Sequence, residues 1–244
     1  MSMRGLFVTG TDTGVGKTRI TLAVLCALKA AGHRPGAMKP IASSGVLGKS
    51  GVMTCSDVEL LADCVEADPG DICSICLPGD LAPSVAASLI DAVLPLESVV
   101  DQFRRQMQRW SGRADVMVVE GVGGLLCPIT IDATIADLAM AIDYPLIIVA
   151  RRGLGTLNHT LLTVEAARLR GLRVAGVVLN GSEPSTNRLA EETNPRELAS
   201  RLGDVPILAE IPHDPGGLSR ISVAYGVDWW GLAKPPRMAP SPPA

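Results

Sequence analysis

Residues 10–18 read GTDTGVGKT, and they follow a short apolar run, Leu6-Phe7-Val8. Gly16-Lys17-Thr18 at the start of a helix-forming segment, behind an apolar strand-like one, spells a phosphate-binding turn. In such a turn the glycines let backbone N–H groups point into an anion, and the helix behind adds the positive end of its dipole. The lysine reaches the outer phosphate oxygens and the hydroxyl after it ligates Mg²⁺. The strict pattern leaves four residues between its first glycine and the Gly-Lys-Thr. Here Gly10 is followed by five, and Thr11 stands where the pattern asks for glycine. An ordinary glycine-rich turn with a surface lysine is the competing reading, and the strand–turn–helix context favours the phosphate site.

Working outward, the sequence predicts a strand over 4–9, a helix over 18–30 stopped by Gly32, and a strand in RPGAMKP ending at Lys39. A polar, Gly/Ser-rich loop follows over 41–56, then a helix opened by a capping Ser56-Asp57 pair. Helical segments near 83–92 and 96–110 lead to ADVMVVEG, a buried strand closed by Glu120 and the turn Gly121-Val122-Gly123. Beyond it the pattern alternates. TIADLAMAI is helical, YPLIIVA a strand, RRGLGT a loop, 158–170 a helix, LRVAGVVLN a strand, 194–202 a helix, and VPILAEIP a last short strand. Strands alternating with helices imply an α/β fold, a single P-loop NTPase-like domain with a mostly parallel sheet and helices on both faces. That domain is expected over 1–233, with a proline-rich, disordered tail over 234–244.

Composition narrows the ligand. A net charge of −3 supplies no basic field for a nucleic-acid backbone, and 3% aromatic residues supply few stacking platforms. Small anionic ligands held by local groups are expected, not nucleic acid. The first residues already read as a strand, without the layout of a secretory signal, and no stretch approaches the roughly 20 apolar residues that cross a bilayer. Six cysteines fit reduced thiols in a cytoplasmic protein. Cys73 and Cys76 form a lone C-x-x-C, which lacks the second pair of a structural zinc site.

Three residues outside the turn are candidates on position alone. Magnesium takes oxygen ligands, commonly one or two carboxylates beside the threonine. Glu120 closes a buried strand, and ligands of parallel sheets sit at the carboxyl ends of strands. Asp57 opens a helix, where a plain cap is an equal alternative. Lys39 ends a strand on the rim expected for Lys17, where two ammonium groups would stabilise charge developing on a transferred phosphoryl. An exposed strand-end lysine is the alternative.

The segments VTGTDTGVGKT, KPIASSG, SDVELLA, VVEGVGGLLCPI, RRGLGTLNHT, GVVLNG and EIP occur in this order between about residues 4 and 213. Together they resemble the dethiobiotin synthase family, whose members share the Gly-Thr-Asp-Thr start. The resemblance implies ATP- and Mg²⁺-dependent carboxylation of 7,8-diaminononanoate by CO₂ or bicarbonate, with ring closure through a carbamate and a carbamic–phosphoric anhydride. It implies that Gly14, Val15, Gly16, Lys17, Thr18 and Arg19 hold the nucleotide, with Gly121, Val122 and Gly123. Thr18, Asp57 and Glu120 would hold the metal. Lys39 would orient the carbamate, Ser43 would touch the diamine and Thr13 would reach the carbamate. Asn180 and Gly181, with Pro212 and His213, would line the adenine pocket.

Gly155, Thr156, Leu157 and Asn158 lead into a helix, and free N–H groups there suit a carboxylate. By the resemblance they take the substrate tail across a homodimer interface. A helix cap by Asn158 is the simpler alternative. Two departures stand out. Gly14 replaces an acidic residue of some relatives, and Ser84 falls where some have a histidine. Two other classes compete. A partitioning or septum-positioning ATPase would carry a lysine early in the loop, absent here. An amide-forming ligase would need a glutaminase domain, for which the chain is short.

Overall fold

The computed structural model describes residues 3–47, 53–184, 187–213 and 226–237. Its main sheet runs in the order β2-β6-β1-β7-β8-β9. These strands are Pro35–Met38, Val116–Gly124, Arg4–Gly10, Leu146–Arg151, Val174–Asn180 and Ile207–Ile211. Every neighbouring pair is parallel. The central strands carry continuous apolar runs because both faces are covered: Leu6, Phe7, Val8 and residues 116–119 are fully buried. Burying each of those larger side chains stabilises the fold by roughly 1.5–3 kcal/mol.

Helices α1 (Lys17–Ala30) and α2 (Ser56–Val65) pack on each other and against β2, while α6 (Ile135–Ile142) and α7 (Thr156–Leu169) pack on β6 and β7. The short α3 (Pro69–Ile72) and α4 (Pro83–Ser88), with α5 (Leu96–Arg109), α8 (Arg188–Ala199) and α9 (Trp229–Leu232), complete the shell.

The expected fold class is therefore observed, with local corrections. The segment read as a loop over 41–56 instead carries β3 (Ile41–Leu47) and β4 (Met53–Thr54). These join β5 (Ile75–Pro78), from the C-x-x-C stretch, in a second sheet of order β4-β3-β5. Residues 48–52 of that segment lie outside the described residues. The N-cap of α2 is Cys55, without a side-chain cap bond, in place of the expected Ser56-Asp57 pair. Asp57 thus sits inside the first turn, its carboxylate left for other partners. Helix α8 starts at Arg188, six residues before the expected start, where Asn187 caps it by accepting from the Ala190 amide.

The beginning of the proline-rich stretch is packed. Lys234 bridges Gly5 of β1, and the Arg237 guanidinium pairs with Asp143 at 2.7 Å. Residues 238–244, also expected in the tail, lie outside the described residues.

Candidate active site

Strand register assembles the site. β1 ends in the phosphate-binding turn, and its neighbour β6 sets Glu120 opposite Val8. On the other side of β6, Met38 pairs with Val119, so the next residue of that chain, Lys39, comes alongside Glu120. The turn itself needs left-handed backbone at Gly14 (φ 73°) and Gly16 (φ 92°). At Gly16 glycine is also required by space, since a Cβ there would lie 2.1 Å from Asn180 Nδ2.

Glu120 is fully buried and is the hub. Its Oε1 accepts from Thr18 Oγ1 at 2.8 Å and from Lys39 Nζ at 2.8 Å. Its Oε2 has no hydrogen-bond partner among the described residues. Lys39, 4% exposed, also pairs with the Asp57 carboxylate. Burial pulls the Lys39 ammonium down, but Glu120 and then Asp57 outweigh it, and its pKa ends above the ordinary lysine value. Lys17 differs. Burial lowers it, Glu120 compensates only in part, and the like charge of Lys39 lowers it further. Lys17 Nζ donates to the Asp12 carbonyl at 3.2 Å, and Arg151 reaches the Asp12 carboxylate at 3.4 Å.

These groups face one cleft of about 440 Å³, within the range of small-ligand sites. Thr13, Gly14, Gly16, Lys17 and Thr18 line it together with Lys39, Asp57, Glu120 and Ser43, and Val122 and Gly123 line it too, Gly123 close to Thr13. Cys127 and Asp80 also line it, and neither stood out in the sequence. Cys127 sits under Gly123, whose absent Cβ leaves room for its sulfur.

Other expected residues fall elsewhere. Val15 is buried, and it contributes its carbonyl, which accepts from Asn180 Nδ2 at 2.8 Å. Arg19 is half-buried on the first turn of α1. Gly121 turns to the core, where a Cβ would press on Ile135 and Phe7 at 3.1 Å. Asn180 ends β8, wholly buried, its Nδ2 joining the phosphate turn to β8 and its Oδ1 without a partner among the described residues. Gly181 lets the chain of Pro212 and His213 approach closely, and His213 Nδ1 lies 3.2 Å from the Gly181 carbonyl.

Gly155, Thr156, Leu157 and Asn158 do not line the cleft of their own chain. Gly155 (φ 92°) is the N-cap of α7 and offers no side-chain bond, so the expected alternative of an Asn158 cap is not what forms. The Thr156 side chain is turned inward to Thr160.

Comparison with known proteins gives the family and the fold. A family model described as an AAA domain matches residues 4–217. A protein of Anaeromyxobacter sp. (strain K), named ATP-dependent dethiobiotin synthetase BioD, is 46% identical over 216 residues, covering 87% of this chain and 92% of that one. The protein of the same name from Bacillus subtilis (strain 168) is 39% identical over 212 residues, covering 86% and 87%. Among solved structures, the MinC:MinD cell division protein complex of Aquifex aeolicus matches with a TM-score of 0.54 at 17% identity, over 96% of this chain and 98% of that one. A ParA family ATPase from Chlorobium tepidum TLS gives 0.53 at 16% identity, over 95% and 97%. At such identities these two show the fold alone. The chain belongs to the ATP-dependent dethiobiotin synthetase family and is an enzyme of that family.

Proposed function

We propose that this member of the family converts 7,8-diaminononanoate (7,8-diaminopelargonate), CO₂ and ATP into dethiobiotin, ADP and phosphate in biotin biosynthesis. One amine adds to CO₂ and loses a proton, giving a carbamate. A carbamate oxygen attacks the γ-phosphorus of ATP, the bond to ADP breaks, and a carbamic–phosphoric anhydride forms. The second amine attacks the carbamoyl carbon, phosphate leaves, and the ureido ring closes. Little of this is covalent chemistry by the protein, whose task is positioning and charge stabilisation.

The observation that supports this reading best is the buried Lys39 between Glu120 and Asp57, with Thr18 on the same Glu120 oxygen. It puts a fixed ammonium in the cleft that the phosphate turn and Ser43 also line. Lys39 would hold the carbamate, and Lys17 would neutralise the outer phosphates. Thr13 and Ser43 would touch carbamate and diamine. Backbone amides of Gly14, Val15, Gly16 and Lys17 would cradle the phosphates, with Arg19, Val122 and Gly123 beside them. Asn180, through its unpartnered Oδ1, would accept from an adenine amino group, next to Gly181, Pro212 and His213.

Mg²⁺ fits the donors present. Glu120 Oε2 is a buried carboxylate oxygen without a partner, and the Thr18 hydroxyl and Asp57 carboxylate are hard oxygen ligands of the kind Mg²⁺ takes. No group of three or more His, Cys, Asp or Glu side chains converges among the described residues. Thr18, Asp57 and Glu120 would therefore share the ion with phosphate oxygens. When bound it would supply neutralisation of the transferring phosphoryl.

Gly155, Thr156, Leu157 and Asn158 would bind the substrate carboxylate of a homodimer partner's cleft through the amides at the start of α7. The domain over 1–233 would act as one unit in the cytoplasm, without nucleic acid or membrane. No helix among the described residues is long and apolar enough to cross a bilayer.

The test is phosphate release from ATP. It should require diamine and bicarbonate together and ignore DNA and lipid vesicles. Release that responds to DNA or vesicles and ignores the diamine would favour a partitioning ATPase.

A further inference from the structure

One acid in the cleft has no role in the account above. Asp80 lies in the turn after β5, directed by Gly79, whose φ is 72°. It borders the same cleft as Lys39 and Ser43. Strand register fixes which end of the cleft it occupies. Ser43 pairs with Leu77 and Gly45 with Pro78, so the turn beyond Pro78 lies beside the outer end of β3, past Ser43. Along the β3–β5 edge Ser43 thus lies between Lys39, which precedes β3, and the Asp80 turn. The other two cleft carboxylates, Asp57 and Glu120, are both tied to Lys39. Asp80 is exposed, and its carboxylate makes no ion pair or hydrogen bond among the described residues.

We propose that Asp80 is the subsite for the ammonium group of the diamine. A free carboxylate repels phosphates, so its place beyond Ser43 suits a cation. A vicinal diamine near neutral pH carries an ammonium on one nitrogen while the other, as free base, adds to CO₂. Asp80 would hold the charged nitrogen beside Ser43 while the free one faces Lys39. It would also select diamines over monoamines of the same length, because a monoamine that keeps its nitrogen free for CO₂ has no cation to offer. This rests on the diamine reading above and refines it.

The test is steady-state kinetics of wild type, Asp80→Asn and Asp80→Glu, with ADP affinity measured in parallel by titration calorimetry. The expected result for Asp80→Asn is a KM for the diamine raised about 10-fold, as for loss of a charged hydrogen bond, with kcat changed less than twofold. ADP affinity should be unchanged or tighter, since a negative charge has gone. Asp80→Glu should recover most of the KM. A diamine KM within twofold of wild type in Asp80→Asn, or ADP affinity falling in step with it, would overturn the proposal. Failure of the wild type itself to make product would instead refute the diamine reading, whatever Asp80 does.

Discussion

Replacing Lys39 with methionine removes the cation that pairs with Glu120 among the described residues. Glu120 is fully buried, and Lys39 has 5% side-chain exposure, so neither can turn to solvent. Breaking such a pair by deleting one partner costs about 3–5 kcal/mol, because the other charge stays buried and uncompensated. For a chain of this size that is a fall of ~10 °C in melting temperature. Adding Glu120→Gln to Lys39→Met removes the orphaned charge, so the double variant should be more stable than Lys39→Met alone. The coupling in a double-mutant cycle should be about 2–3 kcal/mol, measured by urea unfolding. The pH sign follows from Lys39, whose pKa is raised above its ordinary 10.5 by Glu120 and Asp57 despite burial. Its contribution is complete below that ordinary value and is lost only as pH rises through the higher folded one. The cycle should therefore read the same at pH 7 and pH 9 on the lysine side. Additive losses, with coupling under about 0.5 kcal/mol, would refute the buried pair. In product formation Lys39→Met should lose roughly 10²–10³-fold, the scale for removing one donor aimed at developing charge.

Other outcomes are specific. Gly16→Ala forces a side chain into left-handed backbone and to within 2.1 Å of Asn180 Nδ2, so nucleotide binding by calorimetry should be lost. Asn180→Ala frees the Val15 carbonyl inside the protein, and unfolding free energy should fall by about 1–3 kcal/mol with weaker ADP binding. Burial raises Asp143, but Arg237 and Arg173 outweigh it and bring its pKa below the ordinary carboxylate value. That stability is present above the ordinary value and is lost as pH falls through the folded one. Arg237→Ala should therefore move the acid-unfolding midpoint, followed by circular dichroism, to higher pH.

The sequence made the main sheet legible because its strands are continuous apolar runs and its helices follow them at regular intervals. Glu120, Lys17 and Thr18 could be placed because their motifs end such strands. Lys39 was assigned to the rim, but its burial between two acids depends on the β2–β6 register, which no local pattern carries. The β4-β3-β5 sheet was missed because IASSGVL is rich in serine and glycine, and β3 pairs along most of its length with β5, which lies beyond α2 and α3 in the chain. Asp80 was missed for the same reason, since it enters the cleft through β5 pairing with β3. Asp57 is legible at the start of α2 as a candidate metal ligand, and its alternative reading as the cap is not what forms, since Cys55 is the N-cap and no side chain caps α2.

Mass spectrometry of a reaction containing the diamine, ¹³C-bicarbonate, ATP and Mg²⁺ follows the fixed carbon itself. The expected product is dethiobiotin heavier by one mass unit, the label in the ureido carbon, with one ADP formed per product. ADP released without labelled product, or at a rate indifferent to the diamine, would contradict the proposed reaction.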